Sequence, residues 1–255
     1  MKHYELISQI LKYLSTMVKP GVTPMELESW AEETILSHKA VPFNKNYHPE
    51  WATKPYPNVL CISVNNVIAH GIPSNVPFRD GDIVNIDTAL IKDGHCADAA
   101  LTVGVGKISH ADQNLIRFTK RTIYAGIQKI KAGVTNWDIA EAMYHTAVYK
   151  YNYNVNLRFS GHGIGRSMHE APKIPCFKLV ANSQDEVHVP KMELKAGQVV
   201  CLEPFLTRSK DLYGDVASDG WTCSTYDNKN VAMFEHMVLV TEKGHKVLTT
   251  HFDEK

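Results

Sequence analysis

Acids set into apolar strands are the first sign of chemistry in this chain. In GDIVNIDTALIKDGHCAD, residues 81 to 98, Asp87 interrupts a β-branched run, with Ile83-Val84-Asn85-Ile86 before it and Leu90-Ile91 after it. Asp98 stands just ahead of a second run, Leu101-Thr102-Val103. Asp is depleted in strands and almost never fully buried without a partner. Between the runs, Lys92-Asp93-Gly94-His95 is a turn signal, and Asp-Gly favours a two-residue type I′ loop. With Asp93-Gly94 as the loop, Asp87 lies opposite Ala100 and Asp98 points to the same face; with Lys92-Asp93, Asp87 faces Asp98 directly. A three-residue loop separates the acids. The alternative to convergence is an Asp98 that caps the turn and an Asp87 in an ordinary salt bridge.

Two further acids join them through an internal repeat. KPGVTPMEL, beginning at residue 19, matches KAGVTNWDI at 131; FRDGDIVNIDTALI at 78 matches LKAGQVVCLEPFLT at 194, which sets Asp87 on Glu203. Asp98, before Ala99-Ala100-Leu101-Thr102-Val103, corresponds to Glu235, before His236-Met237-Val238-Leu239-Val240. So long a period indicates two homologous halves rather than a solenoid. It predicts a pseudo-two-fold site with four carboxylates: Asp87, Asp98, Glu203 and Glu235. Four acids on one face repel unless cations neutralise them, and two divalent metals supply the matching charge.

FSGHGIGRSMHEAP, residues 159 to 172, adds His162 and His169, and its alternating glycines allow other backbone to approach closely. Beside the acid cluster, one of these two histidines is expected to be a ligand. His70, in Ala69-His70-Gly71-Ile72-Pro73, ends the strand-like run CISVNNVI. On spacing alone it reads as an imidazole hydrogen-bonded in a turn.

The elements that position these residues also have local signatures. Thr23-Pro24-Met25-Glu26 is a helix start with Thr as N-cap, Pro at the first position and Glu reaching back; Thr135-Asn136-Trp137-Asp138 is a weaker version. Near the N-terminus Tyr4, Ile7, Ile10, Leu11 and Leu14 share one helical face, without the continuous apolar core of a signal peptide. No stretch approaches membrane-span length. The 255 residues hold 27 Lys+Arg against 27 Asp+Glu, which leaves no global field for nucleic acid or an anionic membrane. Five cysteines without C-x-x-C spacing indicate neither a disulfide framework nor a cysteine zinc site, and the expected setting is a reduced cytoplasm.

CISVNNVIAHGIP, GDIVNIDTALIKDGHCAD, SGHGIGRSMHEAP, LEP, DGWT and FEHMVLVT occur in that order over nearly the whole chain. In combination they resemble the type I methionine aminopeptidases of the pita-bread metallopeptidase family. The resemblance implies an α+β pita-bread fold in one catalytic domain, residues 1–255, with pseudo-two-fold halves of roughly 1–109 and 110–255 and a central antiparallel sheet covered by helices. It also implies two divalent metal ions held by Asp87, Asp98, His162, Glu203 and Glu235, with Asp98 and Glu235 bridging. Oxygen-rich ligands favour Mn²⁺, Fe²⁺ or Co²⁺ over a dedicated Zn²⁺ site, with Zn²⁺ still open. His70, His169 and Glu203 match catalytic positions, and Tyr56, Cys61, His70, Met168, His169 and Trp221 match substrate-contacting ones.

The implied function is removal of N-terminal methionine from nascent polypeptides, by a monomer in transient contact with the ribosome. Alternatives are an aminopeptidase of Xaa-Pro or otherwise altered specificity, and a non-catalytic binding module on the same fold. The chain reads as a divergent member. Ala89, Ala99 and Cys201 stand where the family commonly has threonine, and Met168 where it usually has an aromatic. Glu50-Trp51-Ala52-Thr53-Lys54 lacks the usual glycine- and tyrosine-containing segment, and the stretch from His169 to Glu203 is longer than usual.

Overall fold

The computed structural model describes residues 1–177 and 189–250, so the core of the long stretch between His169 and Glu203 lies outside the described residues. The chain opens with helices α1 (His3–Met17) and α2 (Pro24–Ser37), followed by strands β1 (Val41–Pro42), β2 (Leu60–Val64), β3 (Val67–Ala69), β4 (Ile83–Lys92) and β5 (His95–Gly104). The order then repeats, with α3 (His110–Ile127), α4 (Asn136–Tyr144) and a π-helical turn over His145–Lys150. Short strands follow: β6 (Asn154–Val155), β7 (Ser160–Gly163), β8 (Glu170–Pro175), β9 (Val199–Leu202) and β10 (Phe205–Thr207). The last are β11 (Asp215–Val216), β12 (Cys223–Ser224), β13 (Val231–Met233), β14 (His236–Val240) and β15 (His245–Val247).

Helix starts follow their local chemistry. The Thr23 amide donates to Glu26 Oε2 at 2.7 Å while the Glu26 amide donates to Thr23 Oγ1 at 3.3 Å. Thr135 and Asp138 repeat the exchange at 2.9 and 3.3 Å, so the shorter Asp serves as well as Glu. The amphipathic face of α1 buries Leu6, Ile7, Ile10, Leu11 and Leu14 and packs on β4 and β5. In the second half α3 packs on β9, β10 and β13, and α4 on β8. Burying an aliphatic side chain contributes roughly 1.5–3 kcal/mol, so these faces fix the helices over the sheets.

β4 is the axis of the first sheet: β1 and β2 pair with one edge of it and β5 with the other, all antiparallel. The larger second sheet has the order β15-β14-β9-β7-β8. Two small sheets, β13-β10-β6 and β11-β12-β3, complete the strands. A bridge between Ala100 and Glu235 joins the halves, with the Glu235 amide donating to Ala100 O at 2.9 Å. A second seam runs from Asn85 Nδ2 and Thr102 Oγ1 to Met233 O, at 3.0 and 2.7 Å. Buried Glu28 on α2 accepts the amides of Val59 and Leu60 at 2.6 and 2.8 Å, which fixes where β2 begins.

Candidate active site

The β4–β5 turn takes the first of the two registers open to the sequence. Lys92 pairs with His95 and Asp87 with Ala100, while Asp93 and Gly94 adopt φ of 53° and 73° as a type I′ loop requires. Asp98 pairs with Ala89, and the period-two alternation puts Asp87 and Asp98 on one face. In the second half the equivalent hairpin is broken: Glu203 lies between β9 and β10, and Glu235 between β13 and β14. The pairing of Leu202 with His236 keeps those two acids side by side. His162 on β7 pairs with Cys201 on β9 and so faces the same centre.

These strands converge all four acids and one imidazole. His162 Nε2 stands 3.8 Å from Asp98 Oδ2, 3.8 Å from Glu203 Oε1 and 3.9 Å from Glu235 Oε1. Oxygens of Asp87, Asp98 and Glu235 lie within 4.8 Å of one another. The His162 Nδ1–H donates to Gly163 O at 2.9 Å, which selects the tautomer whose Nε2 lone pair points at the acids. Close backbone approach makes this possible. A Cβ on Gly161 would stand 2.2 Å from Cys201 O, and one on Gly163 2.4 Å from Ala171 O.

Such a cluster is costly without a counter-charge. Burial raises the Asp87 carboxyl to about 7. Asp98, Glu203 and Glu235 are pushed well above the usual carboxylate range, first by burial and then by neighbouring acids, Asp98 by Asp87 and the two glutamates chiefly by Asp98. Glu235 Oε1 is fully buried and has no hydrogen-bond partner. An orphaned carboxylate oxygen beside a neutral imidazole lone pair is the environment that a divalent cation completes, and the donor set of oxygens with one nitrogen suits a hard or borderline metal. Sequence reasoning treated Cys201 as a replaced threonine. The structure brings its sulfur within 4.8 Å of a ring nitrogen of His162 and a carboxylate oxygen of Glu235.

Every site residue expected from the sequence lines one cleft of about 540 Å³ above these acids. Tyr56, Cys61 and Trp221 form a small apolar cluster with Ala52, flanked by Tyr47 and Ile72. Cys61 is the strand partner of Asp87, so this cluster abuts the acids directly. The Tyr56 hydroxyl is turned to the carbonyls of Leu60 and Gly71, at 3.0 and 2.9 Å, and its ring meets Trp221 edge-on at 5.1 Å. Met168 is buried in the wall.

His70 sits in a left-handed conformation, φ 56°, and its ring is 5.8 Å from that of Trp221. Burial, His169 and Arg158 together lower it to about 4. His169, 4.6 Å from His162 ring to ring, is lowered by burial and then by the Lys173 charge. Both imidazoles are therefore neutral at pH 7. Phe43, Asn44, Tyr47, Trp51 and Phe159 also line the cleft and were missed. The Tyr47 hydroxyl lies 3.3 Å from His169 Nδ1, and Trp51 stacks near His70 at 6.2 Å. Their signal was the aromatic-rich stretch NYHPEW at residues 46 to 51, of which only Glu50 and Trp51 entered the reading, as the start of a departure from the family pattern.

The profile of metallopeptidase family M24 matches residues 2–242. The chain belongs to this family. It is 35% identical to the methionine aminopeptidase of Aquifex aeolicus, over 97% of this chain and 93% of that protein. It is 34% identical to methionine aminopeptidase 1 of Bacillus subtilis, over 92% and 89%. The crystal structure of the Rickettsia prowazekii methionine aminopeptidase superposes with a TM-score of 0.86 at 33% identity, over 96% of this chain and 93% of that one. The M24 fold, in its pita-bread form with duplicated halves and antiparallel sheets, is thus shown. A Pyrococcus furiosus prolidase shares the fold alone, with a TM-score of 0.72 at 20% identity, and this chain covers 61% of it. As a member of the metallopeptidases this M24 chain uses divalent metal, and among its described residues no helix is long and apolar enough to cross a membrane.

Proposed function

We propose that this chain is a methionine aminopeptidase, removing N-terminal methionine from nascent polypeptides as a monomeric, cytoplasmic, single-domain enzyme in transient contact with the ribosome. Near-full-length likeness to relatives of that name supports the activity. The observation that carries the site is the convergence of Asp87, Asp98, His162, Glu203 and Glu235, with an orphaned carboxylate oxygen at its centre. In this reading those five side chains would hold two divalent cations, Mn²⁺, Fe²⁺, Co²⁺ or Zn²⁺. When bound, such a pair lowers the proton affinity of water and polarises a carbonyl.

The chain's own groups do the rest. The Tyr56, Cys61 and Trp221 cluster, which abuts the acid floor through Cys61 beside Asp87, receives the first side chain. Glu203 accepts the proton released as water attacks. His169, neutral and approached at Nδ1 by the Tyr47 hydroxyl, keeps Nε2–H free to donate to the developing oxyanion. His70, held by its left-handed turn and the rings of Trp221 and Phe159, hydrogen-bonds around the scissile amide.

Metal analysis of the purified protein, with Met-Ala, Met-Pro and Ala-Pro peptides assayed under each cation, tests the reading. Metal binding that Asp98→Ala abolishes, together with methionine release from Met-Ala, is the expected result. Rapid release from Xaa-Pro peptides but not from Met-Ala would replace it with the proline-directed activity. A protein that neither binds metal nor cleaves peptides would be a binding module.

A further inference from the structure

The cleft is electrically polarised. Among the described residues its acids are the four on the floor, and its cationic side chains apart from histidine are Arg158, just ahead of β7, and Lys173 on β8, both exposed. Arg158 Nη1 donates to Gly214 O at 3.2 Å, which steadies the guanidinium beside Phe159, and that ring meets His70 at 5.2 Å. The β7–β8 register pairs Gly161 with Ile174, so Lys173 lies next along β8 from the partner of a strand that carries His162. Both side chains line the same cleft as His70 and His169. Among the described residues neither cation takes part in an ion pair.

A peptide seated with its N-terminus on the acid floor must lead its remaining residues out past His70 and His169. We propose that Arg158 and Lys173 make this cleft selective for peptides bearing a carboxylate shortly beyond the scissile bond. This deepens the aminopeptidase reading and rests on it. The carboxylate comes from an acidic side chain at the third or fourth position or from the C-terminus of a short peptide. Guanidinium and ammonium groups that no acid among the described residues occupies recognise either source, and a basic residue in the same place is repelled.

The test uses metal-loaded enzyme and two peptide sets. One compares Met-Ala-Ser as free acid and as amide. The other compares a longer amidated peptide with Glu, Gln or Lys at the third position. Exposed ion pairs are individually weak, so kcat/KM is expected to favour acid over amide, and Glu over Lys, by about three- to tenfold, mainly through KM. The ratio should shrink in about 0.5 M salt and fall towards one in the double variant Arg158→Gln, Lys173→Gln. A preference in the first set alone names the C-terminal carboxylate as the source, and in the second alone the side chain. Equal kcat/KM across both sets overturns the inference and leaves the aminopeptidase reading standing. Release of methionine from none of the peptides overturns both.

Discussion

Stripped of divalent cations, the protein should lose thermal stability as pH rises from about 6.5 to about 8, and saturating cation should remove that loss. In an unfolded chain the site carboxyls ionise near pH 4. In the fold Asp87 holds its proton to about 7, and Asp98, Glu203 and Glu235 hold theirs higher than usual. The folded state therefore binds more protons, and its stability falls with pH by about 1.4 kcal/mol per unit for each retained proton. The window matters because other groups oppose this trend below it. His70 and His162 are lowered to about 4, so they add stability as pH rises from there to 6.5, and above that both states hold them neutral. Buried Cys61, Cys176 and Cys201 share the sign of the acids, but their unfolded thiols ionise only near 9.

One to two retained protons, discounted for the half-buried position of Asp87, give about 1–3 kcal/mol per pH unit. For a chain of this size that is a fall in Tm of roughly 3–10 °C per unit. Calorimetry in chelator, with and without excess cation, reads it directly. Asp87→Asn removes a destabilising charge at nearly constant volume, so it should raise the metal-free Tm at pH 8 while abolishing metal binding. A metal-free Tm that is flat or rising between pH 6.5 and 8, or an Asp87→Asn protein no more stable than its parent at pH 8, would refute the account of the floor as uncompensated buried charge.

Other perturbations follow from single contacts. Glu28→Ala orphans two buried amides, and urea unfolding should show a loss of about 3–5 kcal/mol, with Glu28→Gln retaining part of it. Gly163→Ala drives a Cβ against Ala171 O, and His162 leaves its position; isothermal titration should show weaker cation binding along with lower stability. His169→Gln should lower kcat about 100-fold or more while metal content and Tm stay at wild-type values, which steady-state kinetics and metal analysis check together.

Much of the site was legible because its costs are local. An Asp in a β-branched run, an Asp-Gly turn that sets register and a repeat that maps acid onto acid each express a rule that acts over a few residues. The Thr23 and Thr135 capping boxes and the apolar face of α1 were readable for the same reason. What could not be read was assembled at long range. CISVNNVI reads as one run, yet it folds as β2 and β3 around a left-handed Asn65, because Ile62 must reach Gly71 O. Tyr47 and Trp51 enter the cleft from a loop with no periodicity, held by two backbone bonds, from the Tyr56 amide to Tyr47 O and from the Asn46 amide to Tyr56 O. Arg158 and Lys173 carry no motif, and only the folding of β7 against β8 gives them a common cleft.

The small residues beside the acids connect the two kinds of information. Ala89 is the strand partner of Asp98, and Ala99 is the partner of Thr88. Both are buried, and neither side chain offers a donor to a carboxylate. Ala89 shares the face of the acids, whereas Ala99 points to the other face, so a hydroxyl at position 89 would disperse part of the buried negative charge in the absence of cations, a hydrogen bond to a charged acceptor contributing about 1.5–3 kcal/mol. Here Glu235 Oε1 has no hydrogen-bond partner. On the proposed ligand set, the compensation that such a hydroxyl could share falls to the cations, so folding and metal loading are expected to be more tightly coupled than with threonine at position 89.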